Sequence, residues 1–158
     1  MEQRSPPKKN RPQPSLRARA LRHLARREHS RLELQRKLAP HAQNPDEVTD
    51  LIEDLVRRGW LSEQRVVEQI IHARRDKLGS QRIRRELLDK GVPEELVGRA
   101  LPQLRDGDMA AARALWKRKF GKLPEDTAGH AKQVRFMQSR GFALETVLRI
   151  IRQGGNDE

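Results

Sequence analysis

Basic side chains are the residues of this chain that could do chemistry, and they occur in clusters along its length. The 158 residues include 34 Lys and Arg against 22 Asp and Glu, a formal net charge of +12. Arginine binds phosphates and carboxylates through paired hydrogen bonds. The excess charge therefore predicts a polyanionic partner or an acidic groove on another protein. The candidate binding residues are Arg26, Arg27, Arg57, Arg74, Arg75, Arg82, Arg84, Arg85, Lys117, Arg118, Lys132, Arg135 and Arg140.

No residues in the sequence have the spacing of a catalytic or metal site. The five histidines are scattered and form no HExxH pattern, there is no cysteine, and no glycine-rich phosphate loop is present. Carboxylate pairs such as Glu94-Glu95 fall near expected helix starts, where the helix dipole explains them. We therefore expect a protein that is not an enzyme and that uses no metal or cofactor.

The lack of cysteine and of long apolar runs indicates where in the cell the protein is expected. Without cysteine the chain forms no disulfides, which fits a reducing compartment. No apolar run approaches the roughly 20 residues that span a bilayer, and the first residues lack the apolar stretch of a secretory signal. We expect a cytoplasmic protein that does not enter a membrane.

Aromatic residues are too few to suggest binding by base stacking. The chain has two Trp, three Phe and no Tyr. Four of them fall at or beside expected core positions: Trp116, Phe120, Phe136 and Phe142. Trp60 follows a helix stop and is expected to plug the space between helices. If nucleic acid binds, we expect contacts to phosphates, with strong salt dependence and weak sequence specificity.

Apolar residues recur at helical spacing in nine segments, and no segment alternates in the manner of a strand. Helix starts are marked by Ser15, by a capping box at Ser30 and Glu33, and by Ser62. Gly91 followed by Pro93 marks a sharp stop and a new start. These signals predict an all-α protein.

The helical pattern repeats with a period of about 50 residues. A first ungapped shift, of 49 residues, aligns Leu21 with Ile70, Leu34 with Ile83, and Val48 with Val97. A second, of 50 residues, aligns Val66 with Trp116, Leu87 with Met137, and Val97 with Val147. The second alignment is weaker, because the apolar Ile83 falls on the polar Gln133.

A period of this size is typical of a stacked helical array. We expect an elongated array of three tandem three-helix repeats, each stabilised by its neighbour. The predicted boundaries are a disordered, basic, proline-rich tail at 1–14, repeats at 15–61, 62–105 and 106–153, and a frayed tail at 154–158.

The basic clusters could be no more than solvated helix faces, which is the commonest reason for a run of charge. Two observations favour binding for some of them. Acidic residues do not balance them, and Arg82 aligns with Lys132 as Arg85 aligns with Arg135. Because the second repeat is flanked on both sides, Arg82, Arg84 and Arg85 are the strongest candidates, and we expect them to form no salt bridges within the chain.

Residues 21–38, 57–92 and 132–142 resemble the bacterial RecX family. The resemblance extends over roughly residues 15–152, and its motifs are Ser30 with Glu33-Leu34; Gly79 with Arg82-Ile83, Glu86-Leu87 and Gly91; and Arg140-Gly141-Phe142. The chain departs from the family pattern at 60–63, where an acidic, Phe-containing stretch is more usual, and at Val66-Val67, which replaces an aromatic residue.

The resemblance implies an elongated, curved monomer of three three-helix units that regulates the RecA recombinase. It implies binding in the groove of the RecA–DNA filament and inhibition of ATP hydrolysis, strand exchange and coprotease activity. The alternative is a non-specific DNA-binding protein that affects recombination indirectly, by competing for DNA.

Overall fold

Helices account for most of residues 12–156, the part of the chain that this computed structural model describes. Nine α-helices and one 3₁₀ turn, at Ala39–His41, follow one another there without a strand. The α-helices are α1 Leu16–Arg26, α2 Arg31–Leu38, α3 Pro45–Arg57, α4 Glu63–Arg74, α5 Ser80–Asp89, α6 Glu94–Asp106, α7 Asp108–Lys119, α8 Thr127–Ser139 and α9 Leu144–Arg152. Most of the predicted N-terminal tail lies outside the described residues.

Local capping residues start several of these helices as the sequence predicts. Ser15 and Ser62 each accept a hydrogen bond from the backbone N–H three residues later. Ser30 and Glu33 form the complete capping box, in which each side chain accepts a bond from the backbone N–H of the other residue. These bonds satisfy N–H groups that would otherwise lack partners in the first helical turn.

Each run of three helices encloses its own apolar core, which confirms the all-α array of three three-helix units. The first core contains Ala20, Leu34, Leu38, Val48, Leu51, Ile52, Leu55 and Leu61. The second contains Val66, Val67, Ile70, Ile83, Leu87, Val92, Val97, Leu101 and Leu104. The third contains Ala112, Leu115, Trp116, Met137, Phe142, Val147, Ile150 and Ile151.

The ungapped alignment is correct for the second and third helices of the units but wrong for the first helices. Helices α4 and α7 begin at Glu63 and Asp108, 45 rather than 50 residues apart. Similarly, Leu21 is 39% exposed whereas Ile70, its partner in the alignment, is buried. The cause is the loop after the first helix, which spans 27–30, 75–79 and 120–126 in the three units and so shifts the register.

A hydrogen-bonded pair explains the polar residue in the third core. Gln133 is buried at the position that Ile83 occupies in the second unit. Its side-chain oxygen accepts a 2.8 Å hydrogen bond from the indole N–H of Trp116, and its amide donates to the carbonyl of Lys122 at 3.1 Å. The large indole brings an N–H into the core, and Gln133 supplies the acceptor that this N–H needs when buried.

The middle helices of neighbouring units meet end to end. The backbone N–H of Gly79, before α5, donates to the carbonyl of Arg140, after α8, at 2.7 Å. At the equivalent place one unit earlier, the hydroxyl of Ser30 donates to the carbonyl of Lys90. Carbonyls at one helix end therefore meet donors at the start of the next, an arrangement that also aligns the helix dipoles head to tail.

An acidic residue from the following unit completes each of these joints. Glu63, the first residue of α4, accepts a 2.7 Å hydrogen bond from the backbone N–H of Arg31, the first residue of α2. Asp108, the first residue of α7, accepts a 2.9 Å bond from the N–H of Ser80, the first residue of α5, and pairs with Arg75 at 3.0 Å. The first helix of each following unit thus caps the middle helix of the unit before it.

Glycine permits the close approach at the joint between the second and third units. Gly141 has a φ of +95°, and a Cβ atom there would lie 2.6 Å from the backbone nitrogen of Arg82. A Cβ atom on Gly79 would lie 2.5 Å from the carbonyl oxygen of Gly141. Because backbone atoms form both obstacles, a side-chain rotation could not relieve either contact.

One local expectation is wrong. Trp60 does not plug the space between helices: it is 45% exposed, and the guanidinium of Arg58 lies 5.3 Å from its ring centre. Part of the predicted frayed tail, at 157–158, lies outside the described residues, and the described residues 154–156 form a hydrogen-bonded turn. The backbone N–H groups of Gly154 and Gly155 bond to Ile151 and Ile150, and Gly155 is buried beside Trp116. Positive φ angles at both glycines allow this turn.

Replacing Gln133 by Leu should lower the free energy of unfolding by about 1–3 kcal/mol, because the indole N–H and the Lys122 carbonyl both lose their partner. Gln138→Leu, at an exposed position of the same helix, should change it by less than about 0.5 kcal/mol. Urea denaturation measures both. Equal losses in the two variants would contradict a specific role for the Trp116–Gln133 pair.

Gly141→Ala should destabilise the protein by about 1–3 kcal/mol more than Gly59→Ala. Both glycines have positive φ angles, so alanine strains the backbone at either place, but a Cβ on Gly59 meets nothing within 4 Å. The difference in unfolding free energy therefore isolates the joint. If the two variants were equally stable, the joint would not depend on close backbone packing.

Candidate anion-binding groove

A groove of about 740 Å³ lies between the second and third units. Six of its lining residues are cationic and two are acidic. The cations are Arg74, Lys77, Arg82, Arg85, Lys90 and Arg140, the acids are Glu86 and Asp89, and the apolar lining consists of Leu78, Leu115 and Phe136. The groove therefore combines a net positive charge with a partly apolar surface.

Contacts across the joint fix two of the groove's cations. The guanidinium of Arg82 donates a 2.7 Å hydrogen bond to the carbonyl of Ser139, and the Arg82 side chain lies against Gly141. Arg74 pairs with Glu86 at 3.1 Å across the α4–α5 hairpin. Both guanidinium groups remain at the exposed surface, so the joint positions charge without burying it.

Phe136 holds one further cation of the groove, Arg140, and one cation outside its lining, Lys119. The ring is half-buried and meets Phe120 edge to face, with the ring centres 5.5 Å apart. The guanidinium of Arg140 lies 4.9 Å from the Phe136 centre and the ammonium of Lys119 lies 5.1 Å from it. These distances are within the range of cation–π attraction, so the ring serves to place charge.

The remaining three cations of the groove differ in whether they already pair with another residue of the chain. Lys90 forms an ion pair with Glu33 of the first unit at 3.6 Å. Lys77 and Arg85 are exposed, and their side chains make no hydrogen bond or ion pair with any residue in 12–156. They are the groove's most available anion-binding groups.

Four of the thirteen predicted site residues line this groove: Arg74, Arg82, Arg85 and Arg140. The other nine lie outside it. Arg84 is exposed on α5 with no partner among the described residues, whereas Arg82 bonds to a backbone carbonyl rather than to a carboxylate. Neither of them is salt-bridged. Four predicted residues off the groove are also exposed without partners in the described chain: Arg26, Lys117, Lys132 and Arg135.

The last four predicted residues are engaged within the fold. Arg27 pairs with Glu33 at 2.6 Å and Arg57 with Asp54 at 3.3 Å. Arg118 donates to the carbonyl of Asp76, at 2.5 Å. Arg75 bonds Asp108 and the carbonyl of Leu104, and so belongs to the joint described above. Such contacts stabilise the structure and leave these guanidinium groups less available for a partner.

Lys77, Lys90 and Lys119 were absent from the sequence-based set. Lys90 could have been found, because it lies 50 residues before the candidate Arg140. Lys119 is adjacent to the predicted Lys117 and Arg118. Lys77 lies in the loop between α4 and α5, and no repeat position or helix face marks it in the sequence.

In the first unit, the surroundings of Arg27 are strongly polar. Burial raises the pKa of Glu33, but hydrogen bonds from Arg27 and Ser30 outweigh it and lower that pKa to about 2. His29, next to this pair, is 1% exposed. Its Nδ1 lies 3.0 Å from the carbonyl of Arg27 and its Nε2 lies 2.9 Å from Nζ of Lys37.

These contacts fit a neutral ring that donates from Nδ1 and accepts at Nε2. Burial lowers the pKa of His29; the hydrogen bond to the Arg27 carbonyl opposes this, the positive charges of Arg27 and Lys37 add to it, and the net shift is downward. The folded state then binds this proton less readily than the unfolded state, whose histidine has an ordinary pKa of 6.5. Stability should consequently decrease as pH falls below about 6.5.

We expect the urea midpoint of the protein to fall between pH 7.5 and pH 5, and the fall to be smaller in His29→Gln, which removes the buried imidazole. His41→Gln, at an exposed position of the same unit, should keep the wild-type dependence. An unchanged dependence in His29→Gln would mean that other groups cause it.

Within residues 12–156, no group of three or more His, Asp or Glu residues is arranged to hold a metal ion. No helix of this described part is both long and apolar enough to cross a membrane.

Family models match each of the three units separately. They are described as the first, second and third three-helix domains of RecX, and they match residues 17–55, 62–101 and 106–151. The chain is 50% identical over 143 residues to a regulatory protein RecX of Leptothrix cholodnii, covering 90% of this chain and 91% of that protein. It is 48% identical over 137 residues to a regulatory protein RecX of Ralstonia nicotianae, covering 87% and 86%.

Two crystal structures share the fold. RecX from Lactobacillus salivarius aligns with a TM-score of 0.68 and 19% identity, over 87% of this chain and 93% of that one. A second regulatory protein RecX aligns with a TM-score of 0.72 and 19% identity, over 87% of this chain and 71% of that one. The three domains in order, and close relatives matched along most of their length, together show that the chain belongs to the RecX family.

Proposed function

We propose that this protein binds the RecA–DNA filament and regulates RecA, mainly by inhibiting its ATPase, strand-exchange and coprotease activities. It would act in the cytoplasm as a monomer without a cofactor, in recombination, DNA repair and the SOS response. Family membership supports a regulatory role. The observation that supports direct binding is the groove, with six cations against two carboxylates and with Lys77 and Arg85 unpaired within the described chain.

The way the cations are held favours recognition of an extended anionic partner. Arg82 is fixed by a backbone carbonyl and Arg140 by the Phe136 ring, so neither needs much ordering on binding. Preorganised charges of this kind lose little side-chain entropy when a partner arrives. The groove also spans a joint between units, and binding there would contact two units at once.

The same groove keeps the alternative open. Arginine and lysine bind DNA phosphates as well as protein carboxylates, and phosphate contacts alone give non-specific, salt-dependent DNA binding. A protein of that kind would reduce RecA activity by competing for DNA rather than by contacting the filament. The two functions therefore differ in whether the effect on RecA requires affinity for bare DNA.

Wild-type protein at substoichiometric concentration should slow the DNA-dependent ATPase of the cognate RecA at low salt. The double charge reversal Lys77→Glu/Arg85→Glu should raise the concentration needed for half-inhibition by about tenfold or more, because it turns the two unpaired groove cations into acids. The matched control is Arg22→Glu/Arg105→Glu, which changes net charge equally at exposed positions outside the groove. No effect of the wild type on the ATPase would contradict the proposal.

The affinity of the same variants for bare DNA distinguishes the two functions. Filament regulation predicts that a variant can lose DNA affinity and still inhibit RecA. Competition for DNA predicts that the two losses follow each other in every variant. Inhibition and DNA affinity that fall in strict proportion would favour the alternative.

A further inference from the structure

One surface residue is the same in all three units. The ungapped shifts of 49 and 50 residues, which hold for the second and third helices, align 30–57, 79–106 and 129–156 with one another. Only two positions in these stretches carry an identical residue throughout. One is valine, at Val48, Val97 and Val147, and the other is arginine, at Arg36, Arg85 and Arg135.

Packing accounts for the valine but not for the arginine. The three valines are buried in their respective cores, with 4%, 3% and 0% exposure. The three arginines, here called the arginine series, are exposed, and none makes a hydrogen bond or ion pair with another described residue. The fold therefore gives no reason for arginine at this position.

Neighbouring positions show how far the units have otherwise diverged. The residue before each member of the series is Gln35, Arg84 or Val134, and the residue after it is Lys37, Glu86 or Phe136. Charge at these flanking positions differs from unit to unit.

The joints place the series along successive stacked helices. From Arg85 the path to Arg36 follows α5 to Lys90, crosses one hydrogen bond to Ser30, and continues along α2. At 1.5 Å per helical residue the two Cα atoms are no more than about 25 Å apart. Arg135 reaches Arg85 by the equivalent path through Arg140 and Gly79.

We propose that the arginine series binds one acidic site on each of several successive subunits of a protein filament. This inference rests on the proposed function and specifies its surface. Three identical side chains at the same position of three repeated units suit the same group presented three times, which a polymer of identical subunits presents. DNA carries a charge about every 1.7 Å along its axis, so phosphate binding would not require one arginine at a fixed position in every unit.

Linked sites of this kind predict a distinctive pattern of affinities. Each single substitution, Arg36→Ala, Arg85→Ala or Arg135→Ala, should weaken filament binding by a similar factor of about ten, wherever it lies in the array. Because the sites are far apart, the triple variant should lose close to the product of the three factors. Arg105→Ala is the matched control: it removes an exposed arginine of the second unit that has no partner in the described chain and lies outside the series and outside the candidate set, and it should cost less than about twofold.

The test uses full-length protein and RecA filaments assembled on single-stranded DNA with a non-hydrolysable ATP analogue. The chain has no cysteine, so Leu123→Cys, at a site 57% exposed and outside the groove, carries one fluorophore for anisotropy titrations. Thermal unfolding of each variant should match that of the labelled parent, since the three arginines are exposed and make no hydrogen bond or ion pair in the described chain.

The outcomes separate this inference from the proposed function. Failure of the parent protein to bind the filament would overturn both. Normal filament binding that depends on Arg85 but not on Arg36 or Arg135 would overturn the series and leave the groove as the site. If the triple variant lost affinity for bare DNA by the same factor as for the filament, the arginines would bind phosphates, and the proposal of a protein-filament site would be wrong.

Discussion

The end-to-end contact between middle helices is the constraint on which the rest of the structure depends. At each joint, a carbonyl left without a partner at the end of one helix accepts a bond at the start of the next: Arg140 from Gly79, and Lys90 from Ser30. An acidic residue, Asp108 or Glu63, then caps the receiving helix. Backbone groups at helix ends, which would otherwise need water as a hydrogen-bond partner, therefore connect the units. This connection fixes the relative positions of the groove residues that different units contribute.

Sequence periodicity predicts the helices, because each helix buries apolar residues at helical spacing and a capping side chain or a glycine marks many of the helix ends. The middle and third helices also follow the ungapped repeat, since the joint fixes where each middle helix starts and ends. The first helices escape that constraint. Loops of different length follow the first helices, so their register relative to the repeat varies. In the third unit the packing differs accordingly, with the buried Trp116–Gln133 hydrogen bond in place of purely apolar contacts.

The candidate site was less predictable, because charge along a sequence does not reveal which side chains pair. Arg27 and Arg75 look as available as Arg85 in the sequence, yet both are bound to carboxylates. Lys77 gives no signal and joins the groove only because the α4–α5 loop lies beside the third unit. Pairing depends on residues distant in sequence, such as Arg75 with Asp108, and these distances become known only once the units are stacked.

The glycine contacts at the joint also determine the mechanics of the array. Gly79 and Gly141 bring two backbone segments into direct contact. No flexible side chain lies between the segments that could rearrange when the units move. Bending there would stretch a backbone hydrogen bond rather than rotate a side chain. The second and third units should therefore move as one stiff body, and a partner whose own repeat did not match their spacing would have to deform itself to fit. The protein would then bind best to a partner whose repeat spacing matches that of its own units.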